Sequence, residues 1–242
     1  MSLFITFEGG EGCGKSTQAK ALYRRLRQQN IPVVLTHEPG GTFLGQLLRQ
    51  WIASTGGSLP IAPKNSLQLS LIEEPIGIKV EVFEPEAVLH STTPRAELLA
   101  FLISRAQLVD DVIRPHLAKG NTVICDRFAD STVAYQGYGR GLDLELIKLS
   151  NRIATQGLKP NLTVLLDLDP QQGLHRKWSR DQFESVELDF HRRVREGYLK
   201  MTATDPDRWL VIDASLAKNK IAKIIWERVS QLLPSPSSLR GA

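Results

Sequence analysis

Residues 4–22 read FITFEGGEGCGKSTQAKAL, and no other stretch limits the fold of this chain so sharply. An apolar run, Phe4 to Phe7, delivers the chain to a loop with glycine at positions 9, 10, 12 and 14. The loop ends on Lys15, Ser16 and Thr17 at the mouth of a helical pattern. The spacing is a glycine, four free positions, then Gly-Lys-Ser, the pattern of a phosphate-cradling loop. Glycines let backbone N–H groups turn inward around a phosphate, and the helix behind the loop adds its positive end. A strand before the loop and an amphipathic helix after it are the context that this reading requires.

The rest of the chain repeats that strand-then-helix rhythm. Short runs rich in β-branched residues predict strands near 3–8 (LFITFE), 33–37 (VVLTH), 122–126 (TVICD), 162–167 (LTVLLD) and 209–213 (WLVID). All five are near-continuous apolar runs, as expected of strands buried on both faces. Between them, Ala19, Leu22 and Leu26 recur at helical spacing with Arg24, Arg25 and Arg27 on the other side. Leu98, Leu99, Leu102, Ala106 and Val109 make a second such face. The expected class is α/β: a three-layer P-loop NTPase fold, a five-stranded parallel sheet with helices on both faces.

Composition narrows the partners. The 242 residues include 30 basic and 26 acidic side chains, a net charge of +4, and the basic residues are scattered instead of forming blocks. That favours a basic cleft for a small anion and argues against a nucleic-acid face. The two cysteines, Cys13 in the loop and Cys125 in a predicted strand, make no disulfide framework, so a reducing compartment is expected. No apolar run is long enough for a membrane span, and Met1-Ser2-Leu3 leads into the first strand without a signal-peptide basic region. A cytoplasmic protein with no membrane partner is the expectation.

Two segments break the rhythm. Residues from about 57 to 94 hold Gly and Pro punctuation and one alternating run, Ile78 to Val82, that suits a strand of an added hairpin. A loop of that length is functional or an insertion. The closing PSPSSLRGA lacks the apolar content to fold. The organisation expected is one domain over 1–232 with an insertion at about 57–94, and a disordered tail over 233–242.

Two further stretches carry candidate chemistry. CDRFADSTVAYQGYGRG, residues 125–141, puts Asp126 and Arg127 at the carboxyl end of the third strand, where open α/β sheets bind ligands. A carboxylate there suits Mg²⁺ and an arginine beside it suits phosphate oxygens, although an ion pair closing a strand would look the same. In HEPGGTFLGQLLRQ, residues 37–50, a Pro-Gly-Gly turn precedes Thr42, a residue suited to cap the helix that carries Arg49.

Taken in order, FEGGEGCGKST, EPGGT, AELLAFLISRAQ, DRFADSTVAYQG and LDFHRRVREGYL closely resemble the motifs of bacterial thymidylate kinases, from residue 3 to about 214 outside the insertion. The resemblance implies phosphorylation of dTMP by ATP with Mg²⁺. It puts Gly9, Gly10, Glu11, Gly12, Cys13, Gly14, Lys15, Ser16 and Thr17 on the ATP phosphates, with Lys15 on the transferring group, and Ser16 and Asp126 on the metal. Arg49 and Arg127 would hold the dTMP phosphate, with Glu38 near it. Phe101 would stack on thymine and Arg105 would hydrogen-bond the base edge. Ser131, Thr132, Tyr135 and Gln136 would line the nucleoside. The loop position where some members carry a basic residue is Gly12, so the charge is expected from a lid at about 174–187, with Arg176 and Arg180 as the candidates. His37 and Gln182 stand where the family commonly has arginine. A homodimer is also implied.

The alternatives are a kinase of another nucleoside monophosphate or of a deoxynucleoside, and a nucleotide-dependent switch. A guanine-reading switch would carry Asn-Lys-x-Asp, whereas the Asn219-Lys220 pair is followed by Ile and Ala.

Overall fold

A computed structural model of the chain describes residues 2–53, 92–177 and 188–233. Residues 57–91 of the insertion with the Ile78–Val82 run, lid residues 178–187 with Arg180 and Gln182, and the tail from 234 lie outside the described residues.

Five strands, β1 (Phe4–Glu8), β2 (Val33–His37), β3 (Thr122–Asp126), β4 (Leu162–Asp167) and β5 (Trp209–Asp213), form one parallel sheet in the order β2-β3-β1-β4-β5. The strand positions match the sequence expectation to within a residue. Burial on both faces holds for the inner three. The outer strands are partly open, and Val211 of β5 is 46% exposed, because an edge strand has a neighbour on one side only.

The helices are α1 (Lys15–Gln28), α2 (Phe43–Ala53), α3 (Pro94–Leu108), α4 (Arg114–Ala118), α5 (Ala129–Thr132), α6 (Leu144–Thr155), α7 (Pro170–Lys177), α8 (Leu188–Thr204) and α9 (Lys218–Leu232). Side chains alternate across a strand, so each strand feeds two cores. Ile5, Phe7, Val164 and Leu166 pack with Ala19, Leu22 and Leu26 of α1 and Ile221, Ile225 and Val229 of α9. Phe4 and Val123 pack on the other face with Leu108, Val109 and Ile113, and Leu165 meets Val194 and Tyr198 of α8. Three layers result. The predicted apolar face of α3 needs one correction: Leu99 is 58% exposed, because Leu98 and Leu99 lie about 100° apart on the helix and only Leu98 points to the core.

Two π-helical segments were not foreseen. Val109–Ile113 joins α3 to α4, where Pro115 removes a backbone donor. Val133–Gly139 continues α5 and carries Tyr135 and Gln136. Thr42 caps α2 as expected, its Oγ1 accepting from Gly45 N at 3.0 Å.

Candidate active site

The loop after β1 turns tightly against the end of β4. Gly9 has φ +138°, and a Cβ there would lie 2.5 Å from Leu166 O, so only glycine fits. Lys15 opens α1 with 7% exposure, and its Nζ donates to Gly10 O at 2.6 Å and Gly9 O at 3.1 Å. No acidic residue sits in the first turn of α1, so no carboxylate of the helix itself offsets the positive end it presents to the loop. Next to Lys15, the Ser16 hydroxyl donates to Asp126 Oδ2 at the end of β3.

Arg127 follows with φ +70°, a left-handed backbone rare for a residue with a Cβ. Its guanidinium donates to Glu11 Oε1 at 2.7 Å, Tyr135 OH at 3.0 Å, and Gly9 O and Ser131 Oγ at 3.3 Å. Tyr135 OH donates in turn to Glu11 Oε1 at 2.9 Å. Burial pushes the Tyr135 phenol well up, against the pull of Arg127, so it stays protonated and able to donate.

At the end of β2, Glu38 and Arg105 form a buried, two-pronged ion pair through Arg105 Nε, 3.0 Å from Oε2, and Nη2. Burial raises the Glu38 carboxyl and Arg105 lowers it. Arg105 also donates to Asn151 Oδ1 at 2.5 Å and Thr132 Oγ1 at 2.8 Å. Beside them, burial and the Arg49 cation hold the His37 imidazole below its ordinary value, opposed by Asp126.

Two cavities result. The first, about 690 Å³, is lined by Glu11, Gly12, Gly14, Lys15, Ser16, Thr17, His37, Glu38, Arg49, Asp126, Arg127 and Arg176, among others. The second, about 540 Å³, is lined by Phe101, Arg105, Ser131, Thr132, Tyr135 and Gln136, with Glu97, Ile52, Thr92 and Phe190. Glu11, Glu38, Pro39 and Arg127 line both. Every sequence-predicted residue among those described therefore borders a cavity, except Gly9, Gly10 and Cys13, which form the turn behind the loop. Arg49, expected with the acceptor, sits on the Lys15 side. Arg105 borders the second cavity while 1% exposed, most of its donors spent on protein partners.

Sequence reasoning missed Glu8, Glu97, Asn151 and Tyr198. Glu97 accepts from Gln136 Nε2 at 2.6 Å and from Arg140 Nη2 at 3.3 Å. Glu8 had a signal, since an acidic residue closing an otherwise apolar buried strand needs partners. Asn151 and Tyr198 lie within helical patterns that gave none.

Comparison with known proteins places this arrangement. The family model described as thymidylate kinase matches residues 7–62 and 81–225. A thymidylate kinase of Dehalococcoides mccartyi is 46% identical over 98% of this chain and 100% of its own length, and one of Synechococcus sp. is 43% identical over 96% of each. The crystal structure of thymidylate kinase from Ehrlichia chaffeensis superimposes with a TM-score of 0.67 at 30% identity, covering 96% of this chain and 99% of that one. The family model, the relatives and the structural neighbour match nearly the whole chain, and the chain belongs to the thymidylate kinase family.

Proposed function

We propose that the chain transfers the γ-phosphoryl group of ATP to the phosphate of dTMP, giving dTDP and ADP, with Mg²⁺. The observation that carries this is the junction of the two cavities at Glu11, Glu38 and Arg127. A donor held by the glycine loop and an acceptor held among the aromatics would bring their phosphates together at one arginine. The names of the relatives support dTMP as the acceptor.

The acceptor oxygen is already anionic, so no strong general base is needed. Catalysis here is alignment of two nucleotides and neutralisation of charge on the moving group. Lys15 exchanges its loop carbonyls for phosphate oxygens, and the lid arginines, Arg176 or Arg180, add positive charge. Arg127 forks onto the acceptor phosphate where the cavities join, with Glu38 nearby, and Arg49 reaches that phosphate from the Lys15 side. Phe101 stacks on the base, and Tyr135 packs by the deoxyribose with Ser131, Thr132 and Gln136 around it. Arg105 serves the base edge with the one Nη1 hydrogen that has no partner among the described residues.

The Ser16 hydroxyl and the Asp126 carboxylate, already in contact, are hard oxygen donors of the kind Mg²⁺ takes. Among the described residues no group of three or more His, Cys, Asp or Glu forms a closed cage. That suits an ion completed by water and phosphate oxygens. When bound, it would neutralise phosphate charge.

The same reading takes residues 1–232 as one catalytic domain with an insertion at about 57–94, supported by a family match that passes over residues 63–80. A homodimer is supported by apolar side chains left open on α2, α3 and α6. Two buried free thiols, Cys13 and Cys125, suit a reducing cytoplasm. Among the described residues no helix is long and apolar enough to cross a membrane.

The test is ADP formation from ATP and Mg²⁺ with a panel of nucleoside monophosphates and thymidine. dTMP should be the preferred acceptor. Preference for another monophosphate, or for the nucleoside, overturns the assignment.

A further inference from the structure

We propose that Glu8 is a positioning residue for the acceptor phosphate, acting through Ser131 and the Arg127 turn. The role rests on the dTMP kinase reading. Glu8 closes β1 with no exposure, and its carboxylate accepts from three groups on separate elements. These are Phe128 N in the turn after β3 at 2.8 Å, Ser131 Oγ in α5 at 2.6 Å, and Tyr198 OH in α8 at 2.8 Å.

Arg127 lies inside this bracket. Its own N–H donates to Phe7 O at 3.0 Å, and the next N–H along the chain is held by Glu8. The left-handed backbone of Arg127 is thereby fixed on both sides. Ser131 links the carboxylate to the guanidinium, since its Oγ donates to Glu8 and accepts from Arg127 Nη1 at 3.3 Å. An ionised Glu8 accepts only, so it draws the Ser131 proton toward itself and turns the Oγ lone pairs to Arg127. A protonated carboxyl brings a donor of its own into the cluster. One of the Ser131 and Tyr198 hydroxyls must then turn, and they already stand 3.0 Å apart.

Burial, and after it the Asp130 carboxylate, push the Glu8 carboxyl up to about 7 against Ser131, Arg127 and Tyr198, which hold it down. Asp130 is itself paired with Arg208 at 2.6 Å, and the buried Cys125 thiol lies close on β3. The folded state therefore binds this proton more tightly than the unfolded chain. Stability due to the protonated form is full below about 4.5 and lost as pH rises to about 7. Ionisation at neutral pH works against stability while orienting Arg127.

Glu8→Gln separates the two effects, because the amide removes the buried charge and introduces a donor. Its melting temperature at pH 8 should be no lower than that of the unaltered protein. Its kcat/KM for dTMP at that pH should fall by about ten- to a hundredfold, with the ATP KM changed by less than about threefold. The dTMP phosphate also titrates near pH 6, so the readout is the ratio of the two pH profiles, which should fall as pH drops through about 7. Tyr198→Phe keeps the carboxylate and removes one donor, so it should move the acid limb of kcat/KM for dTMP upward by about half a pH unit or more. If Glu8→Gln fails to fold, that limb alone decides, and an unmoved limb overturns the role. A rise in the ATP KM as large as that in the dTMP KM, or an unchanged kcat/KM for dTMP in Glu8→Gln, also overturns it. Failure of the unaltered protein to phosphorylate dTMP overturns the reaction itself; turnover that Glu8→Gln leaves intact overturns the role alone.

Discussion

Gly12 and Gly173 meet backbone to backbone: a Cβ on Gly12 would stand 2.0 Å from Gly173 O, and one on Gly173 would stand 2.1 Å from Glu11 O. The phosphate loop is thus seated directly on α7, the helix that carries Arg176. A side chain at position 12 is excluded by this contact, and the φ of +65° would add strain, which suits charge supplied from the α7 side.

Gly173→Ala tests that seat without altering a phosphate-contacting residue. Gly173 has no left-handed backbone, so the effect comes from the clash with Glu11 O alone. Overpacking of this kind costs about 1–3 kcal/mol. The variant should melt several degrees lower and show a raised ATP KM. A melting curve and ATP KM like those of the unaltered protein would show that the loop and α7 separate freely.

Lys15→Met retains the stem of the side chain and removes the ammonium. In the proposed reaction the charge stands where negative charge develops on the transferring phosphoryl, and loss of one such donor typically lowers kcat by about 10²–10³-fold. Without Lys15, Gly9 O keeps Arg127 Nη1 as a donor at 3.3 Å and Gly10 O keeps the Cys13 thiol at 3.0 Å, so stability should change little. A kcat within about tenfold of the unaltered protein refutes the assignment.

Arg105 and Glu38 are 1% and 2% exposed at the side chain. Removing one partner of such a pair leaves a buried charge and costs about 3–5 kcal/mol. Arg105→Met should lose that much in chemical denaturation, and adding Glu38→Gln should recover part of it. Phe101→Ala is the cleaner probe of the base site, because Phe101 is half-buried and lines the second cavity. It should raise the dTMP KM by about tenfold or more and leave the ATP KM nearly unchanged. Equal effects on both would remove Phe101 from the base pocket.

These residues mark what the sequence made legible. The five strands stand out because parallel strands between helix layers must be apolar on both faces, and the loop stands out because phosphate binding dictates glycine at fixed spacing. The family resemblance puts Phe101 and Tyr135 on the nucleoside, and both border the second cavity. Partners far apart in sequence were not legible. Nothing local links Glu8 to Tyr198, 190 positions later, or Arg105 to Asn151, 46 later. The π-helical run Val133–Gly139 follows from tertiary packing, since Gly139 sits against Phe190 and Val194 of α8. Leu99 shows the opposite error, where an apolar residue at helical spacing was given to the core and faces outward.

Leu99 is one of several such side chains, and together they bear on assembly. Phe43 and Leu47 on α2, Leu99 and Ile103 on α3, and Leu146, Leu149 and Ile153 on α6 are 48–77% exposed. Each set is spaced three or four residues apart, so each helix turns one apolar ridge outward. The three helices are neighbours, with α3 packed against both α2 and α6. An apolar surface of that extent marks an interaction site on a soluble domain, and in the proposed homodimer a second copy covers it. Replacing Leu149 and Ile153 together with glutamate should put like charges face to face across a twofold interface. Sedimentation should then report one chain in place of two, and the melting temperature should fall and lose its dependence on protein concentration. On a free monomer the same exposed substitutions would change stability by no more than about 0.5 kcal/mol. An unaltered protein that sediments as a single chain, with a variant that melts at the same temperature, would refute pairing through this face.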